Sequence, residues 1–536
     1  MKRTLLLLAL LLAIPLRAAT TIPLPPENER WTQLQMGNFI VYSNARDGVM
    51  RDAAENVARL RLALGRISHL VTDAPIPTYF YVFKSEESFA PYRDTVAGPR
   101  KEMVKGFFTT DRRANYATIT ANTGLVDHLV AHELTHHFIH NTVVGVPAWF
   151  DEGLAEFYSW STYAQGSIRV GVPFQPYIDE LSNHGLMPLR ELAATHPLRH
   201  DVDDVRAIRF YAESWFFVHY LLIGNPQRGA QLGELLSRLY EGASLDAAFK
   251  AAFHATPEEI DTELGAYLHR PRFNAILYTQ RDLGEITVPT PAPISRAAAL
   301  TALGDLLLHI DARQSPAFLS EAVKLEPKNA LAVALLAIAK LANGAYAEGT
   351  ALYDSVAALD WPDSRPYALA SGHRVSELQE RARNGEAVSA DEIAEVRRVA
   401  TLALSKSAND VDAMSTMGAS YTFAGQDANA GVQWSSKAFS LAPSRIDIAC
   451  DLVLLHARAG EQAMAKDLIN HTIRPAHIDR YDNEAAQNLV LAKFYAADAM
   501  RAAGSEDDAR KLYETVRAST NNPKLRAVVD KRLEKP

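Results

Sequence analysis

Between Met417 and Pro443 the chain sets Gly418, Tyr421, Gly425, Ala430 and Ala438 in an order that restricts what it can fold into. Small Gly and Ala residues let two helices approach closely, the aromatic fills the gap and Pro443 closes the second helix. A helix hairpin of this kind cannot bury its apolar face alone, so copies of it must stack. Weaker copies appear at Leu341 to Gly344 with Ala347, Tyr353 and Pro362, at Ala457 to Gly460 with Ala465, and at Ala502 to Gly504 with Ala509 and Tyr513. Gly425 and Gly460 are 35 positions apart but Gly344 and Gly425 are 81 apart, so the copies are irregular and Glu380 to Ser389 reads as an interrupting loop. A non-repetitive helical bundle is the alternative; the period and residue order favour a solenoid.

That period, about 34 residues, and that residue order resemble tetratricopeptide repeats. The resemblance implies an all-α, TPR-like helical solenoid over residues 294–533, with a protein partner docked on the repeats. Upstream the pattern differs. Asn38 to Ser43 and Thr78 to Phe83 are β-branched and aromatic runs flanking Met50 to Val71, which has helical spacing. Met103 to Thr109 and Asn115 to Ala121 read as two further strands, the latter as the edge. From Gly124 the spacing is helical: Leu125 to His140, Pro147 to Trp160, Val205 to Ile223, Gly229 to Tyr240 and Pro257 to His269. Strands ahead of helices define an α+β domain over residues 28–270. Three spaced prolines, Pro289, Pro291 and Pro293, mark residues 271–293 as an extended linker.

Lys2-Arg3, the apolar run Leu5 to Leu16 and the small residues Ala18-Ala19 have the order of a secretory signal peptide, residues 1–19. The apolar run is shorter than the ~17–25 residues that span a bilayer, so no transmembrane anchor is expected after cleavage, and the mature chain is expected to be periplasmic or secreted. The lone Cys450 cannot form an internal disulfide, and it lies in an apolar helical segment where a buried thiol has a packing role. Acidic residues outnumber Lys and Arg 63 to 55, without the basic excess that nucleic acid requires.

The chemistry is carried by Ala131-His132-Glu133-Leu134-Thr135-His136. Residues four apart share a helical face, so His132 and His136 can present two imidazoles to one zinc ion, with Glu133 beside it as general base. A catalytic zinc takes a third protein ligand, and Trp149-Phe150-Asp151-Glu152-Gly153-Leu154-Ala155-Glu156 offers carboxylates on a second helix. Either Glu152 or Glu156 could ligate; Glu152 is favoured as ligand and Glu156 as acceptor for the free N–H of a zinc-bound histidine. His128, His137 and His140 are expected to be structural or solvent-facing.

HELTH followed by WFDEGLAEF resembles the gluzincin zinc metallopeptidases of the peptidase MA-like group. The resemblance spans roughly residues 30–270 and implies a zincin-like α+β metallopeptidase domain. It implies Zn2+ on His132, His136 and Glu152, and Glu133 as base. A tyrosine on a later helix, here Tyr211, would be hydrogen-bonded to the oxyanion. Aminopeptidase relatives carry a Gly-x-Met-Glu-Asn strand; Lys105 to Thr109 and Asn115 to Ala121 hold no such Glu, which favours an endopeptidase on peptide or protein substrates. The alternative is a non-catalytic zinc domain with a TPR scaffold in envelope complex assembly.

Overall fold

Aromatic and β-branched runs form β1 (Thr32–Met36), β2 (Phe39–Ser43), β3 (Thr78–Phe83), β4 (Gly106–Thr110) and β5 (Asn115–Thr120) in the computed structural model. It describes residues 21–534 except 71, 73–75, 97–105, 112, 122–127, 143–145, 196–203, 384–385, 474–489, 491–492, 495, 499, 502–504 and 521. The signal-peptide expectation, the starts of two expected elements at 103–105 and 125–127, and the repeat copy beginning at Ala502 lie outside the described residues. A hairpin, β6 (Thr162–Ala164) and β7 (Ser167–Val170), joins β8 (Ile276–Tyr278) in a second, small sheet. The main sheet has the order β4-β5-β3-β2-β1-β9, where β9 is Ala292–Pro293. β2, β3 and β5 are parallel neighbours, while β1 and β4 run antiparallel to theirs.

Two expectations change. Asn115 to Ala121 is not the edge: β4 turns back at Asp111 and pairs along β5, so β5 is flanked on both sides and β4 is the edge strand. The segment 271–293 is extended in part but packed: Ile276–Tyr278 pairs with β7 and Ala292–Pro293 pairs with β1.

The helices of the first half are α1 (Asp47–Ser68), α2 (Glu86–Val96), α3 (His128–Thr142), α4 (Ala148–Ser159), α5 (Gln175–His184), α6 (Leu189–Ala194), α7 (Asp204–His219), α8 (Pro226–Tyr240), α9 (Leu245–Phe253), α10 (Pro257–Leu268) and α11 (Gln280–Leu283). Alternate residues of a strand face opposite ways, and both faces of the main sheet are apolar. Leu34, Val41, Phe80, Val82, Ala117 and Ile119 pack on one side with Leu60 of α1 and Leu134 and Phe138 of α3. Ile40, Tyr79, Tyr81, Phe83 and Tyr116 pack on the other with Leu300, Leu303, Leu307 and Phe318, which belong to the second half of the chain.

Among the described residues that second half is helical: α12 (Arg296–Ile310), α13 (Ser315–Leu325), α14 (Ala330–Ala342), α15 (Tyr346–Val356), α16 (Arg365–Arg383), α17 (Ala390–Lys406), α18 (Val411–Ala419), α19 (Ala428–Leu441), α20 (Ile446–Arg458), α21 (Gln462–Leu468), α22 (Glu506–Ser519) and α23 (Pro523–Glu534). From α12 to α21 the helices pair as hairpins, and each pair packs on the next, first helix beside first helix, as in a TPR-like solenoid. The small-residue signature acts as expected: a methyl group on Gly418 would collide with Ser435 of the partner helix, and Gly425 turns the chain at φ +78°. Arg397 of α17 stacks 3.7 Å above the Tyr421 ring.

The first half seats itself on the first helices of these pairs. Tyr81 donates to the Ala302 carbonyl (2.7 Å) and Tyr116 to Asp305 (3.1 Å). Asp305 is clamped by Arg365 at 2.7 and 2.9 Å, and that guanidinium lies 4.6 Å over Tyr79. At the β4–β5 turn, Asp111 meets His309 (3.5 Å) and Arg113 meets Asp412 (3.6 Å). Ile76 joins Val411, Met414, Ile448 and Leu452 in one apolar cluster.

Candidate metal centre

The site is built where α3 and α4 pack together. His132 and His136 sit one turn apart on α3, and their Nε2 atoms face each other at 3.0 Å. Glu152 of α4 brings Oε2 to 3.3 Å from His132 Nε2 and 3.4 Å from His136 Nε2. Donors on a tetrahedral zinc at about 2.0–2.2 Å are about 3.3–3.6 Å from one another, so this triangle has nearly the size that one ion needs. Two further observations fit a cation. Glu152 Oε2 is buried without a well-directed hydrogen bond, and the two Nε2 atoms, 3.0 Å apart, converge on the same point. Among the described residues these three form a group able to hold a metal.

The position of α4 depends on Gly153. It lies where α4 crosses α7, and a methyl group there would collide with the Ser214 carbonyl and the Val218 side chain. Close approach at this point turns the neighbouring Glu152 toward α3. Trp149, Leu154, Phe157 and Tyr158 are buried in the core around it and fix the helix's rotation.

Behind the triangle, carboxylates stand at the far nitrogens, Asp151 in a hydrogen bond and Glu156 in a contact that is not well directed. Asp151 Oδ1 is 2.8 Å from His136 Nδ1. Glu156 Oε1 is 3.3 Å from His132 Nδ1, and Glu156 is itself buried and accepts the Trp160 indole N–H at 2.9 Å. On a metal-bound histidine such partners fix the tautomer so that Nε2 offers its lone pair. Burial opposes a charged His132, yet its contacts with Glu152 and Glu156 outweigh this and hold its pKa up at about 9. His136 is likewise held well above the usual histidine range, with burial opposing and Asp151 prevailing. Burial would raise Glu152, but the two histidines pull it down to about 2.

The structure therefore brings His132, His136 and Glu152 together and puts Glu156 behind His132. Glu133 follows on α3 and is half-buried. Tyr211 is half-buried on α7, the helix that crosses α4, and Tyr177 of α5 lies 6.1 Å from Trp215 one turn further along α7. Asp151 was not foreseen; its only signal was its place beside Glu152. Of the histidines expected to be structural or solvent-facing, His128 lies 3.5 Å from Glu156, and His137 meets Asn115 of β5 at 3.0 Å. The side chain of His140 lies outside the described residues.

No protein-family model and no curated protein matches the chain. Solved structures similar to part of it include the APC/C hetero-tetramer Cut9–Hcn1, at 13% identity over 45% of this chain and 43% of that one, with a TM-score of 0.34. The type IV pilus biogenesis factor PilW matches at 14% identity over 44% of this chain and 98% of its own, with a TM-score of 0.33. YrrB, a TPR protein with an unusual peptide-binding site, matches at 13% identity over 36% and 90%, with a TM-score of 0.26.

Proposed function

We propose that the chain is an exported zinc metallopeptidase, an endopeptidase that hydrolyses peptide bonds in protein or peptide substrates. The observation that carries this reading is the donor triangle of His132, His136 and Glu152 with Glu133 next along the same helix. A zinc ion held there would acidify a water and polarise a substrate carbonyl. Glu133 accepts the proton of the attacking water and returns it to the leaving amine. Asp151 and Glu156 keep the two imidazoles in register through their Nδ1 atoms. Tyr211 donates a hydrogen bond to the developing oxyanion, a contribution of about 10²–10³ in rate for one such donor. The solenoid docks a protein partner on surface other than the first-helix side that the first half of the chain already covers. The export reading rests on the order of charged, apolar and small residues in the first 19 positions.

The test is mass-spectrometric cleavage of a diverse peptide library by the zinc-loaded mature chain, with Glu133→Gln as control and metal content measured on both. Cleavage by the native chain and none by a zinc-replete Glu133→Gln supports the assignment. Equal activity of the two removes Glu133 from the mechanism, and no cleavage by the zinc-replete native chain transfers the reading to a non-catalytic scaffold.

A further inference from the structure

We infer that the polypeptide received at this centre is extended and carries bulky apolar side chains, lying on an aromatic and aliphatic strip that leads from Glu156 to the exposed start of α7. The inference rests on the hydrolytic reading above and names its substrate class. The strip begins at Trp160, whose indole N–H is anchored on Glu156, the carboxylate behind His132. Phe174 lies flat on the Trp160 ring, 3.5 Å between centroids and 9° between planes. Tyr177 meets Phe174 edge-on at 4.9 Å and lies 6.1 Å from the Trp215 ring of α7. All three rings are only partly buried.

From Tyr177 the strip passes to α7. Tyr211, Ile208 and Val205 are spaced by three, so they neighbour one another along one side of that helix. Ile208 is 52% exposed and Val205 is 65% exposed, high values for branched apolar side chains. The two arginines of this turn reach toward α6 and the end of α5: Arg206 pairs with Glu191 at 2.9 Å, and Arg209 donates to the Gly185 carbonyl at 3.2 Å. Among the described side chains the strip itself is aromatic and aliphatic, a surface that suits the apolar side chains of a peptide. An apolar surface that continues from a reactive centre is where the residues flanking a scissile bond must lie. Six helical residues rise about 9 Å, the length of about three residues of extended chain. Folded proteins bury the side chains this strip would take, so the substrate is an unfolded chain or an exposed extended segment.

Binding can be read without turnover. In zinc-loaded full-length Glu133→Gln, fluorescence anisotropy is measured with two labelled ten-residue peptides, one rich in Leu and Phe and one with those positions changed to Ser and Gln. The native strip should prefer the apolar peptide. Ile208→Ser should weaken its binding about 5–10-fold, a fraction of what full burial of an isoleucine provides, and leave the polar peptide unchanged. With Glu133 intact, the same substitution should raise KM for the apolar peptide and leave kcat as it was. Because Ile208 is exposed the variant should fold; Val205→Ser is the second variant. Equal affinity for both peptides, or no effect of either serine on the apolar one, overturns the inference. Absence of cleavage by the native zinc-loaded chain instead overturns the hydrolytic reading, and the two failures are read in separate assays.

Discussion

Two clusters of charge are withdrawn from water on opposite sides of the main sheet, and they differ in completeness. On the solenoid side, Asp305 Oδ1 takes Tyr116 and one Arg365 nitrogen while Oδ2 takes the other, and the guanidinium rests on Tyr79. One anion meets one cation and every Asp305 oxygen is used. On the α3 side, three carboxylates, Asp151, Glu152 and Glu156, face three imidazoles, His128, His132 and His136, and Glu152 Oε2 is left without a well-directed hydrogen bond although both histidine Nε2 atoms of the triangle converge on it. A closed network of this kind locks two layers together. An open one, with donors converging on a common point, is built for something else to complete it.

The comparison can be broken most severely by cutting the chain near Val288. If the outer tyrosine face shares its core with α12 and α13, residues 20–288 should not unfold cooperatively and should hold no zinc, by circular dichroism and metal analysis. A folded, metal-binding fragment would mean the outer network is dispensable. At the open cluster, Glu152→Gln should lower zinc affinity by more than about 100-fold, beyond the 10–100-fold range of residues that only support a ligand. Glu156→Gln and Asp151→Asn should fall within that range in chelator competition. A larger loss for Glu156→Gln would exchange the roles of the two glutamates. Arg365→Met should destabilise the fold by about 3–5 kcal/mol, because Asp305 is left buried and uncompensated. Its zinc affinity should equal the native value; a loss there would show that the two clusters are coupled across the sheet.

Much of this was legible in the sequence where one period decides the outcome. His132 and His136 share a face because they are four apart, and the hairpin signature placed α18 and α19 because Gly418 and Ala438 need no tertiary context. Thr78 to Phe83 also carries a signal: Tyr79, Tyr81 and Phe83 alternate with Phe80 and Val82, so both faces are apolar and both must be covered. That pattern implies a second layer over the sheet, which the solenoid supplies. β1 is polar at alternate positions and reads weakly, although Leu34 and Met36 before the turn at Gly37 mark a hairpin partner for β2. Asp151 was hidden because its role depends on the rotation of α4. That rotation is set by the contact of Gly153 with α7, a long-range event that no local pattern encodes.

A buried carboxylate outside both clusters shows what the open one requires. Glu213 of α7 is wholly buried; Oε2 accepts the Met187 N–H at 3.1 Å, and Oε1 has no hydrogen-bond partner. Burial pushes its pKa up to about 8, since no imidazole pair is there to hold the charge. Between the ordinary carboxylate pKa and about 8 the unfolded chain has lost this proton while the folded chain keeps it, so the group makes stability fall as pH rises through that window. Below the window both states are protonated and the contribution vanishes. Glu213→Gln should therefore match the native chain near pH 4 and exceed it increasingly toward pH 8 in denaturant titrations. Parallel profiles would show that Glu213 is ionised in the fold, and that an unmatched buried carboxylate alone can keep its charge here. With the expected divergence, what separates Glu152 from Glu213 is the histidine pair, because burial by itself yields a neutral acid and no metal ligand.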